Sequence, residues 1–347
     1  MVKIGSKTID TNIFLAPMAG CADLSFRLVC REHGARFCFY EMVDSNSLVR
    51  SRRRNGDILK LHEKDTPIAG QLLGSDPSMI LDAAHKLLDL VNITFLDLNA
   101  ACPAKKAIRK KAGAYLLRDK ATLSNILKTL SASLHIPVTV KLRTGFDAID
   151  HKEISEIAAM CESSGAAAIF VHGRTRAQGY TGEIDYTAIK AVKNSVAVPV
   201  FGSGNIFTPE LAKRMFDETG CDGIMIARGA LGNPAIFDDI KKYFKSGSLP
   251  SSENISRKKA ILKRHLEYIK ALKEIRSSTK VGFMRKVAIW YAKSFSSASE
   301  IRRQISRVKS YEEMTKLIDS LEFKSTLSSS ALSRVLPRDP YQKDVLL

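Results

Sequence analysis

The residues that could do chemistry in this chain follow short apolar runs. Cys102 is the first. An apolar run through Ile93, Phe95, Leu96 and Leu98 stops at Asn99, and Pro103 turns the chain just past the cysteine. A thiol there lies at the carboxyl end of a strand, where α/β sheets bind their ligands. An isolated cysteine is also commonly a small buried hydrophobe, so the other strand ends decide between the two. They read Ala16-Pro17-Met18-Ala19-Gly20, Gln71, Lys141 with Arg143, His172-Gly173-Arg174, Gly202-Ser203-Gly204-Asn205 and Ala227-Arg228-Gly229. Together they describe a polar, cationic pocket that a purely structural fold has no reason to build. Lys141 and Arg143 alternate along one strand and share a face, and two buried cations require an anionic partner. A reduced flavin, negative at its pyrimidine end, is one such partner. The small residues of the last two loops would let backbone N–H groups approach its phosphate tail. Beside Lys141, His172 becomes a candidate ligand contact instead of a core histidine.

The elements that must position these residues are eight β-rich apolar runs, at 13–18, 37–42, 68–73, 93–99, 138–143, 167–172, 198–202 and 223–228. Amphipathic stretches alternate with them. Pro77–Leu90 places Ile80, Leu81, Ala84, Leu87 and Leu88 on one helical face, and 154–161 reads the same way. A third stretch, 209–216, has Thr208 as cap and Pro209 as first helical residue. Eight strand–helix alternations in roughly 230 residues predict a parallel (β/α)8 TIM barrel, an α/β fold. An open, doubly wound sheet is the alternative, but no G-x-G-x-x-G opens a first βαβ unit. The barrel is expected over residues 1–244. A Ser-rich stretch with Gly247 and Pro250 predicts a linker over 245–256, and helical periods predict an all-helical domain over 257–322. Residues 323–347, with a Ser run at 328–330 and Pro337, are expected to form a flexible tail.

The 347 residues include 54 Lys plus Arg against 36 Asp plus Glu, a net charge of +18. From residue 251 onward basic residues outnumber acidic ones by 21 to 10. Such a surplus favours a polyanionic partner, nucleic acid ahead of membrane because no basic amphipathic anchor stands out. A solvated basic surface is the alternative. No apolar run approaches the roughly 18 residues of a bilayer span, and the stretch MVKIGSKTID lacks the core of a signal peptide. A cytoplasmic protein without a membrane partner is expected. Six cysteines without a C-x-x-C pair speak against a metal site and a disulfide framework. With no second apolar surface evident, a monomer is expected.

The combination of motifs resembles a known family, the tRNA-dihydrouridine synthases, and within it the bacterial B-type branch. The matching stretches are LAPMAG at 15–20, QLLGSDP at 71–77, LNAACPAKK at 98–106, AGAYLL at 112–117, VKLRTGF at 140–146, VHGRTRAQGYTG at 171–182 and IARGALGNPAIF at 226–237. The resemblance implies a flavin enzyme with tightly bound FMN and NADPH as reductant, acting on tRNA. It implies that Pro17, Met18 and Ala19 line the flavin, that Gln71 hydrogen-bonds its ring, and that Lys141 and His172 contact it. Ser203, Gly204, Asn205, Ala227 and Arg228 would hold its phosphate. Asn99 and Arg143 would grip the uracil, Arg174 and Arg176 would bind substrate, and Cys102 would be the proton donor. Reducing the C5–C6 double bond needs a hydride at C6, from the flavin, and a proton at C5. A thiol with a pKa of about 8.5 stays mostly protonated near neutral pH and can donate that proton. The base must also leave its stack to be reached, and the basic C-terminal domain would grip the RNA backbone.

Two departures from the family pattern are visible. Ala101 stands where glycine is usual before the Cys-Pro pair, and Gly202-Ser203-Gly204-Asn205 replaces an Asn-Gly-Asp pattern. The sequence leaves two other functions open: a flavin-dependent reductase or dehydrogenase of a free pyrimidine, resembling dihydroorotate dehydrogenases, and a non-catalytic RNA-binding protein.

Overall fold

Parallel strands joined by helices either fan out or close into a ring, and here they close. The computed structural model describes residues 1–50, 58–248, 255–293 and 297–321. The strands are β1 (Ile13–Leu15), β2 (Cys38–Phe39), β3 (Ile68–Leu73), β4 (Leu96–Ala100), β5 (Val138–Arg143), β6 (Ile169–His172), β7 (Val200–Ser203) and β8 (Gly223–Ile226). They lie in sequence order, all paired in parallel, with β8 against β1. The ring is completed where Phe14 bridges Phe37 and the Leu15 N–H donates to Phe37 O at 3.0 Å. Around it run α1 (Leu24–Glu32), α2 (Ser45–Arg50), α3 (Pro77–Leu90), α4 (Lys120–Ser133), α5 (His151–Ser163), α6 (Tyr186–Ser195), α7 (Pro209–Thr219) and α8 (Ile236–Ser246). This is the expected (β/α)8 barrel. Asp23, Asp76, Asp119, Asp150, Asp185 and Thr208 each cap a helix by accepting a first-turn backbone N–H.

The run expected as one strand over 37–42 is divided. Cys38–Phe39 pairs with the start of β3 and Val43–Asp44 with its end. Between them the buried Glu41 carboxylate accepts the Gly20 N–H, so this stretch anchors the loop after β1 instead of extending the ladder.

Along the barrel axis the interior changes character. Phe14, Phe37, Phe39, Phe95, Phe170 and Phe201 are fully buried and form an aromatic floor, with the Phe14 and Phe37 rings 4.4 Å apart and Phe37 and Phe95 at 5.2 Å. An N-terminal hairpin, Val2–Ile4 with Lys7–Ile9, contributes Val2, Ile4 and Ile9 to the same cluster. Side chains alternate along a strand. The next inward residues beyond three of these rings are polar: Asp97 after Phe95, His172 after Phe170 and Ser203 after Phe201, whereas apolar Ala16 follows Phe14. A close-packed floor gives them little room to sink or tilt.

Four more helices follow: α9 (Ile255–Leu272), α10 (Ser277–Ala292), α11 (Ala298–Arg307) and α12 (Tyr311–Ser320). The first two dock on α1, where the Phe26 ring lies 5.7 Å from both His265 and Trp290. Glu32 pairs with Arg264 at 2.9 Å and accepts the Tyr268 hydroxyl at 2.6 Å. Two lysines reach the loop after β1: Lys273 pairs with Asp23 at 2.9 Å, and Lys286 Nζ donates to Gly20 O at 2.8 Å. The expected linker over 245–256 includes the end of α8 and the start of α9, and its residues 249–254 lie outside the described residues, as does the tail expected over 323–347. Among the described residues no helix is long and apolar enough to cross a membrane.

Candidate active site

The polar layer above the aromatic floor is organised by one chain of hydrogen bonds. Thr139 Oγ1 and Gln71 Nε2 donate to the two oxygens of Asp97, each at 2.7 Å. Asn99 Nδ2 donates to Gln71 Oε1 at 2.8 Å. Asn99 Oδ1 in turn accepts the N–H groups of Ala101 at 3.0 Å and Cys102 at 2.8 Å. All four side chains are buried. Asn99 thereby caps the turn that carries the cysteine, as short amides do at strand ends.

Cys102 is half-buried, packed beside Leu73, Ala107 and Ala112. Burial pushes its thiol above the usual value, opposed by the Ala104 N–H and the positive charge of Arg143. The sulfur is therefore a neutral acid at physiological pH, unlike a nucleophilic thiolate. Gly113, with φ of 63°, closes against this turn: a Cβ there would lie 2.8 Å from Cys102 O and 3.0 Å from Cys102 Cβ. Ala101 does not adopt a positive φ, so the turn has no conformational need for the glycine usual at this position.

Cations surround this group. Burial, then Arg143, draw Lys141 down to about 8, with Asp97 opposing. Burial pushes Asp97 up to about 6, with Thr139, Gln71 and Lys141 opposing. Burial and four cations, Arg143, Lys141, Arg174 and Arg228, hold His172 neutral. Its Nδ1 is buried without a hydrogen-bond partner, and no described residue bonds to Lys141 Nζ. Arg174 is drawn down to about 10 by burial and by Arg228 and Arg143. Like charges held this close destabilise one another. An anionic ring system with a phosphate would relieve that repulsion and give the orphaned imidazole nitrogen a partner, so the residues fit a flavin mononucleotide.

Arg143 and Arg174 also have structural work. Arg143 Nε donates to Ala101 O at 2.7 Å, and Nη1 to Thr175 O at 2.8 Å and Gly179 O at 2.7 Å. It ties the cysteine loop to the loop after β6. Arg174 Nε donates to Thr181 O at 2.8 Å, and Nη1 to Asn205 Oδ1 at 3.2 Å. Arg176 lies apart from these two: its guanidinium sits 4.7 Å from the Phe146 ring and 3.9 Å from Asp147.

After β7 the chain turns through Gly204 (φ 130°) and Asn205 (φ 49°), a left-handed position that asparagine tolerates. Ser203 is buried, and its carbonyl accepts the Gly173 N–H at 3.0 Å. After β8, Ala227 leads into a single turn, Arg228–Ala230, and a Cβ on Gly229 would collide with Ile206 O. The glycines of these loops thus pack one loop onto the other, with Arg228 Nη2 3.5 Å from Asn205 Oδ1. On the loop after β1, Pro17 and Met18 are half-buried and Ala19 is exposed, and Met18 O accepts the Cys21 and Ala22 N–H groups.

Asp97, Tyr180 and the buried Thr139 all escape a reading of strand ends. Asp97 is hidden inside an apolar run, where only its alternation with Phe95 and Asn99 marks it as inward-facing. Tyr180 lies eight residues past β6 and is 46% exposed. Its ring is 4.9 Å from the Arg228 guanidinium, 5.5 Å from that of Arg143, and edge-on to His172 at 6.4 Å.

Comparison with known proteins bears on this arrangement. Residues 14–328 match the family described as Dihydrouridine synthase (Dus). The chain is 37% identical over 309 residues to tRNA-dihydrouridine synthase B of Pseudomonas aeruginosa, covering 89% of this chain and 92% of the relative. It is 38% identical over 314 residues to the protein of that name from Pseudomonas syringae pv. tomato, covering 90% and 91%. The fold is similar to that of the old yellow enzyme from Trypanosoma cruzi, with a TM-score of 0.54 and 10% identity over 73% of this chain and 93% of that one. A family match spanning both barrel and helices, together with relatives aligned over nearly their full lengths, means that this chain belongs to the dihydrouridine synthase family.

Proposed function

We propose that this tRNA-dihydrouridine synthase, of the bacterial B type, uses Cys102 as the proton donor to C5 of a tRNA uridine. The observation that carries the proposal is the setting of that thiol. It is half-exposed, raised in pKa, fixed through its own N–H by Asn99, and placed at the barrel end where Lys141 Nζ and His172 Nδ1 have no hydrogen-bond partner among the described residues. Bound FMN, re-reduced by NADPH, would supply the hydride to C6. Lys141 and Gln71 would hold the ring, with neutral His172 donating or accepting through its free nitrogen. Ser203, Gly204, Asn205, Ala227 and Arg228 would hold the phosphate, with Pro17, Met18 and Ala19 along the flavin. Asn99 would present its amide to the uracil and Arg143 its remaining Nη2, while Arg174 and Arg176 would favour the RNA's negative charge. Tyr180 offers a flat face to a flipped base. The basic helices α9–α12 would grip the tRNA backbone.

Purified protein should bind FMN and turn yellow, and NADPH with unmodified tRNA should yield dihydrouridine. Protein that stays colourless after FMN is added contradicts the proposal. So does turnover of free uracil or dihydroorotate in the absence of tRNA.

A further inference from the structure

We propose that Asp97 is a positioning residue: as a double acceptor beneath the site, it dictates which way the Gln71 and Asn99 amides face and, through them, where the Cys102 turn is held. The inference rests on the role given to Cys102 above. The geometry admits one polarity. Asn99 Oδ1 accepts two backbone N–H groups, which can only donate, so Asn99 Nδ2 must face Gln71. Gln71 must answer with Oε1, at 2.8 Å, which turns its Nε2 toward residue 97. Residue 97 therefore has to accept there, and it also receives the Thr139 hydroxyl. An ionised carboxylate accepts on both oxygens and donates from neither. Amide orientations are often ambiguous from position alone, but here fixed donors at one end and a fixed acceptor at the other remove the ambiguity. Asp97 is completely buried. A carboxylate in such a place is expensive to keep unless it serves something other than packing.

With leucine at 97, Gln71 Nε2 loses its acceptor and the Thr139 hydroxyl keeps only Leu96 O, at 3.5 Å. Gln71 can then rotate, its NH2 meets that of Asn99, and the link to the Cys102 N–H loosens. Asparagine at 97 keeps the polarity, because Oδ1 can accept from Gln71 while Nδ2 donates to Thr139 Oγ1.

The test uses iodoacetamide alkylation of Cys102 in the purified protein, read on its peptide by mass spectrometry, beside dihydrouridine formation by the FMN-loaded enzyme. In Asp97→Leu, alkylation should speed up about fivefold and dihydrouridine formation should fall about tenfold or more, the scale of one buried hydrogen-bond acceptor lost. Asp97→Asn should return both to within about threefold of the parent. Parent-like alkylation and turnover in Asp97→Leu would overturn the proposal, and so would an Asp97→Asn variant as impaired as the leucine. If the leucine variant does not fold, Gln71→Glu sets acceptor against acceptor and should speed alkylation, and adding Asp97→Asn should reverse this by restoring a donor. Absence of that reversal overturns the proposal. The alkylation readout is independent of catalysis. A Cys102→Ala enzyme that still makes dihydrouridine would refute the proton-donor role and leave the positioning test standing.

Discussion

The acid strength of Cys102 follows from where the chain leaves it. Its thiol is half-buried against small apolar residues, and burial outweighs the one N–H and one guanidinium that favour the thiolate. With its pKa raised above the ordinary cysteine value, the thiol should alkylate at a rate that still climbs as pH rises through about 9. A rate that levels off below pH 8 would show a thiolate-forming cysteine and contradict the assignment. Lys141 gives the opposite sign. Its pKa is lowered to about 8, so the ammonium is present below that pH and lost above it. FMN affinity, read by flavin fluorescence, should therefore fall as pH rises through and beyond 8, because a bound anion moves the transition upward. Lys141→Met should weaken binding about tenfold and flatten this profile; an unchanged profile contradicts a lysine–flavin contact. At this scale Cys102, Asn99, Lys141 and His172 were legible because each lies within two residues of the carboxyl end of a recognisable strand. Asp97 and Tyr180 were not. Alternation places Asp97 inside but does not say which layer it occupies, and Tyr180 reaches the mouth through a loop whose path no periodicity encodes.

Elements were legible where local chemistry and packing agree. Pro77–Leu90 forms as expected because an aspartate cap, a proline at the first position and a continuous apolar face coincide. The helix expected from residue 154 begins at His151, since its first turn is polar and only the Asp150 cap reveals it. The run over 37–42 is divided because Glu41 turns to the Gly20 N–H, a tertiary contact invisible to propensity. The connection after β4 depends on close approach: Gly113 combines positive φ with contact to Cys102. Gly113→Ala should cost about 1–3 kcal/mol in chemical denaturation and slow dihydrouridine formation by displacing the cysteine. Ala101→Gly should leave turnover close to the parent. A neutral Gly113→Ala would show that the turn is not held as described.

For the whole molecule, barrel and helical region share one buried apolar cluster that includes Phe237, Leu266 and Trp290. The alternation of strands and helices made the barrel readable. The docking of the C-terminal helices was not, because α10 buries residues on several sides, Met284, Val287, Trp290 and Tyr291 among them, and so presents no single stripe. That docking brings Lys273 and Lys286 onto the loop after β1 and sets a strongly basic region beside the barrel. Affinity for tRNA should accordingly drop at least about tenfold between 50 and 200 mM salt, measured by filter binding; a flat response would remove the basic helices from recognition. Light scattering should return a monomer of 38.3 kDa.

The most direct test of the central claim is a single turnover. Enzyme carrying reduced FMN is mixed without oxygen with unmodified tRNA, and flavin reoxidation is followed for the parent and Cys102→Ala. Proton donation by Cys102 predicts a slowing of about 10²–10⁴-fold in the variant with tRNA affinity unchanged. Reoxidation at the parent rate with dihydrouridine formed would contradict it.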